Sequence, residues 1–318
     1  MNFILQAGKE FFKKQSPARL ITLGFAGVIL LGTVLLKLPV SLREGAEVHW
    51  IDALFTSTSA VCVTGLIAID TAEHFTVFGR TVVALLIQIG GLGFLVILDV
   101  LKNRNFRRLS LHSKAVIFTS VVLLAVGTLS LKCTEDITWL GAFFQSVSAR
   151  TAGFSTYPIG SFTSAGLFIL TILMFIGASP GSTGGGIKTS TLFVLLNIIK
   201  STATNQHCTA FKRKIPEKVV FKAFIITMLS MIVVCASTFT MCILEPEYSF
   251  MQLLFECTSA FGTVGLSTGI TPDLSIAGKL VIIMTMFIGR LGALTIVTMW
   301  SFKQPSTAVF TEENITIG

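Results

Sequence analysis

Three eleven-residue stretches repeat one pattern along the chain with no gap needed to align them: 55–65 (FTSTSAVCVTG), 143–153 (FFQSVSARTAG) and 255–265 (FECTSAFGTVG). A Phe stands ten residues before a Gly in each copy: Phe55 and Gly65, Phe143 and Gly153, Phe255 and Gly265. A chain that carries one motif three times is built from copies of one supersecondary unit, which restricts its fold more than composition does. Each copy reads as a short helical run (50–60, 139–148 and 250–260) that closes in a loop of small residues. Backbone carbonyls that all aim at one axis need dihedrals that side chains with a Cβ resist and glycine adopts freely.

The copies are embedded in apolar sequence. With 52% hydrophobic residues, 13% charged residues and a mean hydropathy of +0.81, the chain reads as an all-α integral membrane protein. Six runs are long enough to span a bilayer: 20–42, 77–101, 115–131, 162–197, 219–244 and 276–300. One copy of the motif lies between the members of each pair, so the order is helix, pore segment, helix, three times over. The helical runs of the copies are too short to cross, which suits re-entrant pore helices that enter and leave on one side. Irregular backbone at membrane depth is tolerated only where it is buried in protein or lines a wet cavity. The third copy ends Gly262-Thr263-Val264-Gly265, close to the TVGYG type of loop whose carbonyls replace the hydration shell of a potassium ion.

The fourth run is a broken span. Ala178, Ser179, Pro180, Gly181, Ser182, Thr183, Gly184, Gly185, Gly186, Ile187 and Lys188 interrupt it, and a proline with four glycines cannot hold a continuous helix. Small polar residues at this depth imply a loop in the cavity under the pore segments. The stretch nearly spells the phosphate-binding G-x-x-x-x-G-K-[ST] pattern, but Ile187 separates the last glycine from Lys188 and no strand precedes it. Arg290 sits mid-run in the last span, where a charge is costly unless it faces protein or water.

Positive charge gives the orientation. Lys9, Lys13, Lys14 and Arg19 precede the first span, Lys102, Arg104, Arg107, Arg108 and Lys114 follow the second, and Lys200, Lys212, Arg213, Lys214, Lys218 and Lys222 follow the fourth. The segments leading into the pore helices carry few positive charges, with Arg43, Glu44, Glu47, Lys132, Glu135, Asp136, Glu245 and Glu247. The positive-inside rule puts both termini in the cytoplasm and opens the glycine loops outward. The formal charge of +8 is thus a topology signal in a chain that meets lipid, and no nucleic-acid partner is expected. Six cysteines without CxxC or Cys/His spacing read as small buried fillers, with no metal site. The first apolar run reads as a retained anchor rather than a cleaved signal. Residues 2–16 read either as a basic amphipathic stretch suited to the inner leaflet or as a flexible tail. His49, His74, His112 and His207 are isolated, no catalytic constellation assembles, and no enzyme is expected.

The motifs TSAVCVTG, SVSARTAGF, GASPGSTGGGIKTSTL, TSAFGTVGLSTG and IGRLGALTIVTMW, in that order, resemble the Ktr/Trk/HKT superfamily of potassium transporters, and within it the bacterial KtrB membrane subunits. The resemblance implies a potassium pathway, dependent on sodium in many members. It implies a filter at Val63, Thr64, Gly65, Thr151, Ala152, Gly153, Thr263, Val264 and Gly265, and Arg150 is expected to brace that filter from behind. It also implies a gate made of the intramembrane loop (Gly181, Gly184, Gly185, Gly186, Lys188) together with Arg290, which is expected to hydrogen-bond the loop carbonyls around 184–186 and to raise a positive barrier. A homodimer on a cytoplasmic ring of nucleotide-binding regulatory subunits in the plasma membrane follows from the same resemblance. The family has four repeats and this chain has three: after Gly93 and Phe94 it passes straight to a stretch that resembles the end of the second repeat. The expected organisation is a cytoplasmic segment 1–18, a first repeat with the remnant of a second 19–112, a repeat with the gate loop 113–214, a last repeat 215–302 and a cytoplasmic tail 303–318. The alternative is a non-conducting, internally deleted fragment of such a transporter.

Overall fold

The computed structural model describes residues 17–65, 68–103, 105–182 and 184–292. The expectations for 2–16 and 303–318, and the end of the last span beyond 292, lie outside the described residues. Each unit has a leading helix, a pore helix and a trailing helix. In the first these are α1 (Pro17–Lys37), α2 (Trp50–Cys62) and, after the single turn α3 (Thr71–His74), α4 (Val77–Leu92). The helix α5 (Phe94–Asn103) leads to the second unit: α6 (Leu111–Thr134), α7 (Trp139–Ala149), α8 (Ser164–Phe175) and α9 (Thr189–Ala203). A two-residue-per-strand hairpin, β1 (Thr209–Ala210) with β2 (Arg213–Lys214), precedes the third unit: α10 (Glu217–Leu244), α11 (Phe250–Gly262) and α12 (Ile276–Leu291). The pore helices thus lie within one or two residues of their sequence-derived bounds.

Local chemistry sets the helix starts. Thr76, Thr138, Thr163, Ser249 and Ser275 each accept a backbone N–H in the first turn of the helix that follows, satisfying donors that have no intrahelical partner. In the second and third units the last residue after the leading helix reaches across to the trailing one. Glu135 Oε1 accepts from Thr163 N at 3.0 Å and Thr163 Oγ1 at 2.6 Å, and Glu245 Oε1 accepts from Ser275 N at 2.8 Å. A carboxylate at a helix N-terminus also suits the dipole. The acidic residues read as loop charges therefore staple each unit shut.

The long apolar runs differ from a set of six straight spans. Among the described residues only Leu111–Thr134 and Glu217–Leu244 are single helices long and apolar enough to cross a bilayer. The second run, read as continuous over 77–101, bends by 95° between Val77–Leu92 and Leu95–Asn103. The bend falls at Gly93, whose φ of 77° belongs to the left-handed region and whose missing Cβ would meet Pro180 O at 2.8 Å. Asp99 on α5 accepts from Ser110 N at 2.9 Å and from Ser113 Oγ, which anchors α5 to the start of α6. The fourth run breaks as its composition demands, between Phe175 and Thr189. The cysteines are not uniformly buried fillers: Cys208 and Cys257 are buried, whereas Cys133 and Cys235 lie on outward helix faces.

Two cores bind the units in sequence. One joins Leu36, Ala60, Phe75, Val83 and Ile87 of the first unit to Phe144, Val147, Ala152 and Phe154 of the second. The other joins Leu131, Leu170 and Met174 of the second to Phe255, Val264 and Leu266 of the third. Helix α4 packs on α7, α8 on α11 and α9 on α10, while no comparable packing joins the third unit to the first among the described residues. The three units form an arc.

Candidate functional site

All three pore helices point their C-terminal ends at one place. In the first and third copies the helix closes in the same two bonds: Thr64 N to Ser59 O at 3.0 Å with Val63 N to Ala60 O at 3.2 Å, and Val264 N to Ser259 O at 2.9 Å with Thr263 N to Ala260 O at 3.0 Å. This pattern places a left-handed residue just past the helix, a position usually held by glycine. Here it is held by Val63 (φ 55°) and Thr263 (φ 50°), and the aligned Thr151 has φ 77°. Branched side chains in this region cost roughly 1–3 kcal/mol each and persist where the surroundings over-determine them. The next residues turn back through Gly65, Gly153 and Gly265, with φ of 74°, 77° and 92°. Beyond the turn, Ser259 Oγ donates to Leu266 O at 2.6 Å and Ser148 Oγ to Phe154 O, tying each returning strand to its own pore helix.

The glycines converge. A Cβ on Gly65 would stand 2.9 Å from Ala152 O, 3.1 Å from Gly153 Cα and 3.2 Å from Val264 O. One on Gly153 would strike Val264 O and stand 2.9 Å from Gly65 Cα. Carbonyls of two loops therefore meet at the place where three glycines touch. The partial negative charge of the helix C-termini favours a cation there. A cavity of about 430 Å³ is lined by Gly153 and Gly265 together with Ser155, Asp70 and Glu73.

The interrupted segment of the fourth run lies directly beneath and is held by all three units. Ser179 N and Oγ donate to Gly91 O of the first, at 3.2 Å for the amide. Gly184 abuts Thr151 of the second, and Gly185 N donates to Gly262 O at 3.2 Å and Thr263 Oγ1 at 2.9 Å in the third. Gly181, beside Ser182 N, faces the bend at Gly93, and Gly186 (φ 67°) folds against Phe175 O and Gly177. Lys188 Nζ donates to the Gly184 carbonyl. Arg290 is close enough to the Lys188 ammonium to act on it electrostatically and is exposed on α12. Arg150 is 5% exposed; its Nη2 donates to Ser120 Oγ on α6 at 3.1 Å, so it reaches away from the glycines toward the surrounding helix.

Two features escaped the reading of the sequence. The first is a second repeat, Ile89-Gly90, Ile176-Gly177 and Ile288-Gly289, which follows Gly65, Gly153 and Gly265 by 25, 24 and 24 residues. A Cβ on Gly90 would strike Val61 O and one on Gly289 would strike Phe261 O, so the trailing helices of the first and third units lie against aligned carbonyls of their pore helices. Its nearly constant offset from the motif glycines was the available signal. The second is Glu256, buried in α11, whose Oε1 accepts from Ser267 Oγ (2.8 Å), Thr268 N (2.8 Å) and Thr268 Oγ1 (3.0 Å) and whose Oε2 accepts from Thr271 Oγ1 (2.8 Å). An acid within a motif that carries Thr56 and Phe144 at the aligned positions was its mark. Glu256→Ala leaves these half-buried donors without their acceptor, at about 1–3 kcal/mol for each group not rehydrated. Limited proteolysis of the purified protein should then cut faster within 266–271, and an unchanged cleavage rate would remove Glu256 from this role.

The comparisons agree with this architecture. The family model described as TrkH: Cation transport protein matches residues 2–112 and 106–312. The Ktr system potassium uptake protein B of Bacillus subtilis is 29% identical over 435 residues, covering 95% of this chain and 97% of that protein. The potassium/sodium uptake protein NtpJ of Enterococcus hirae is 30% identical over 447 residues, covering 98% and 99%. Since the first match runs over 435 positions and the chain has 318 residues, at least 117 of those positions have no residue in this chain. In structure, the potassium transporter TrkH of Vibrio parahaemolyticus shares the fold with a TM-score of 0.70 at 18% identity, over 89% of this chain and 64% of its own. Three copies of a helix, pore loop and helix unit, matched by the family model from near one end to the other, make this multi-pass membrane chain a member of the TrkH family of cation transport proteins.

Proposed function

We propose that the chain is the membrane-embedded part of a potassium-uptake pathway in the plasma membrane, not an enzyme. The observation that carries this reading is the meeting of Gly65, Gly153 and Gly265 above a loop bonded to all three units. The filter is formed by Val63, Thr64 and Gly65, Thr151, Ala152 and Gly153, and Thr263, Val264 and Gly265. Potassium enters from the vestibule, whose Asp70 and Glu73 concentrate cations. The loop around Gly181 to Gly186, with Lys188 and Arg290, is the gate, and the two cations set a barrier beneath the filter. Arg150 holds the second pore helix against α6. The name of the Enterococcus hirae relative supports sodium as a second ion. The Ktr system names of other relatives support regulatory subunits on the cytoplasmic side, where the basic loops and both termini face. The assembly is a homodimer, as the resemblance of the motifs implies.

The gate has its own test. Thr263→Val removes the Oγ1 acceptor for Gly185 N, a loss of about 0.5–1.5 kcal/mol of tethering. Efflux of potassium from vesicles should rise several-fold relative to the parent protein, and a fall would mean that Thr263 serves the ion and not the loop.

A second reading is favoured by a specific observation: the three loops stand in van der Waals contact, with carbonyl oxygens where an ion would pass. A potassium filter is a ring of four carbonyl-bearing loops, and three leave the ligand shell incomplete. On this reading the chain is a closed, non-conducting part of the pathway. Growth at low potassium of uptake-deficient cells decides between them, with the chain expressed alone or with a regulatory ring subunit. Rescue that Gly265→Ser abolishes establishes conduction by three units. Failure despite membrane insertion establishes the closed reading.

A further inference from the structure

We infer that the cleft between the end of α9 and the start of α10, roofed by the β1–β2 hairpin, binds one anionic glycerophospholipid from the leaflet on that side. The cleft shares no residue with the glycine loops or the interrupted segment. It is a cavity of about 660 Å³, within the range that holds an organic ligand. Its walls are apolar stripes at helical spacing, Leu195 and Ile198 on α9 and Phe221 and Phe224 on α10. Phe221 is 68% and Phe224 55% exposed. Apolar side chains open to lipid are ordinary on a membrane helix, so the walls alone would mark only bulk lipid. What sets this place apart is its polar roof. Asn205, Gln206, His207 and Lys214 line the same cavity, where one helix stops and the next starts. The side chains of Asn205, Gln206 and His207 are exposed and enter no hydrogen bond among the described residues.

The roof is fixed in place. Thr209 pairs with Lys214 and Ala210 with Arg213, which leaves Phe211 and Lys212 as a two-residue turn with φ of 48° and 63°. Such a turn ordinarily takes Asn and Gly. Here the Phe211 ring holds it: it stacks on Phe193 of α9 at 6.1 Å and meets Phe106 and Phe118 edge-on at 6.4 Å each. Below the turn, Cys208, Ala210 and Ile215 are buried against Phe193, Val194 and Ala223. Gln206 N donates to Ser201 O and Ile215 N to Cys208 O, both at 2.9 Å. The polar groups over the cleft therefore stand on a packed hairpin, and a ligand meets them without first ordering a loop.

Charge selects the headgroup. Between 200 and 218 stand Lys200, Lys212, Arg213, Lys214 and Lys218, against the single carboxylate of Glu217. Glu217 also lines the cavity, but it lies in the first turn of α10, where the positive end of that helix offsets it. Basic clusters at a membrane surface attract anionic lipid. Amide groups such as those of Asn205 and Gln206 suit phosphate and glycerol oxygens. A free phosphate would use the roof and leave the apolar walls wet, whereas a phospholipid fills both at once. A zwitterionic headgroup has no net charge to match the excess of cations.

The test is native mass spectrometry and thermal unfolding of the purified full chain in detergent, with phosphatidylglycerol, phosphatidylcholine, phosphatidylethanolamine or inorganic phosphate added. One phosphatidylglycerol per chain should be retained several-fold better than either zwitterionic lipid and should raise the thermal midpoint. Lys214→Gln at the roof and Phe221→Ala at the wall are both exposed positions that leave the fold intact, and each should lower that retention several-fold. Arg107→Gln, a basic position outside the cleft, should leave it unchanged. Equal retention of the three lipids, or an equal loss in Arg107→Gln, would overturn the site in favour of bulk lipid drawn by general charge. Equal stabilisation by inorganic phosphate would overturn the lipid in favour of a free anion. In a Cys133→Ser, Cys235→Ser background, a disulfide between two Phe221→Cys chains that persists with phosphatidylglycerol present would put a second copy on the cleft and overturn the inference too.

Discussion

Gly153→Ala should force apart the three glycine loops from their common centre. Gly153 is the middle of the three contacts: its φ of 77° is one that a Cβ opposes, at roughly 1–2 kcal/mol. The added methyl also runs into Val264 O and stands 2.9 Å from Gly65 Cα, so the backbones of two other loops must retreat. Overpacking of this kind costs about 1–3 kcal/mol where the neighbours are side chains, and here the neighbours are backbone, which gives less readily. The expected total is on the order of 3 kcal/mol, read as a lower thermal midpoint of the detergent-solubilised protein. Gly265→Ala is the control, because its Cβ meets only Gly153 Cα at 3.6 Å and carries the dihedral cost alone. If the two variants unfold at the same temperature, the convergence of the loops does not hold the fold together in the way argued here.

The second large effect is expected at the glycines of the trailing helices. Gly289→Val and Gly90→Val each force a helix off the carbonyl it touches, Phe261 O in one unit and Val61 O in the other. Small residues at helix interfaces in membranes exist to allow such approach, since lipid supplies no hydrophobic force to drive the helices together. The displaced helix cannot relax by a rotamer change, because the obstacle is backbone. Loss of monodisperse protein on extraction is expected for both variants, with Gly91→Val, whose Cβ meets nothing within 4 Å, as a tolerated neighbour. Equal behaviour of Gly90→Val and Gly91→Val would dismiss the contact.

Much of this architecture was legible in the sequence because its signals are local or periodic. The pore helices were found from the repeated motif, since short helices that end in a fixed loop carry the same capping and turn chemistry each time. The break at residues 178–188 was legible because proline and glycine act on the backbone wherever they stand. The bend at Gly93 was not: Gly90, Gly91 and Gly93 weaken the helix there without fixing where or how far it turns. What makes it a corner is Pro180 and Ser182 beside it, residues some ninety positions away along the chain. Arg290 was recognised as out of place from its charge alone, whereas the bond from Lys188 to the Gly184 carbonyl, four residues back along the same loop, had no sequence signal of its own.

The sequence by itself determined the class of protein, the number of units and the residues at each loop apex, because hydropathy and an ungapped repeat need no knowledge of what packs on what. Only the tertiary structure decided that three glycines share one point, that the interrupted loop is tied to all three units, and that Thr64 lies uncovered where Ala152 and Val264 are buried. Those facts are relations between units with identical local signals, so nothing within a unit encodes which neighbour it has; the closure of the arc is a property of how many copies there are to close it.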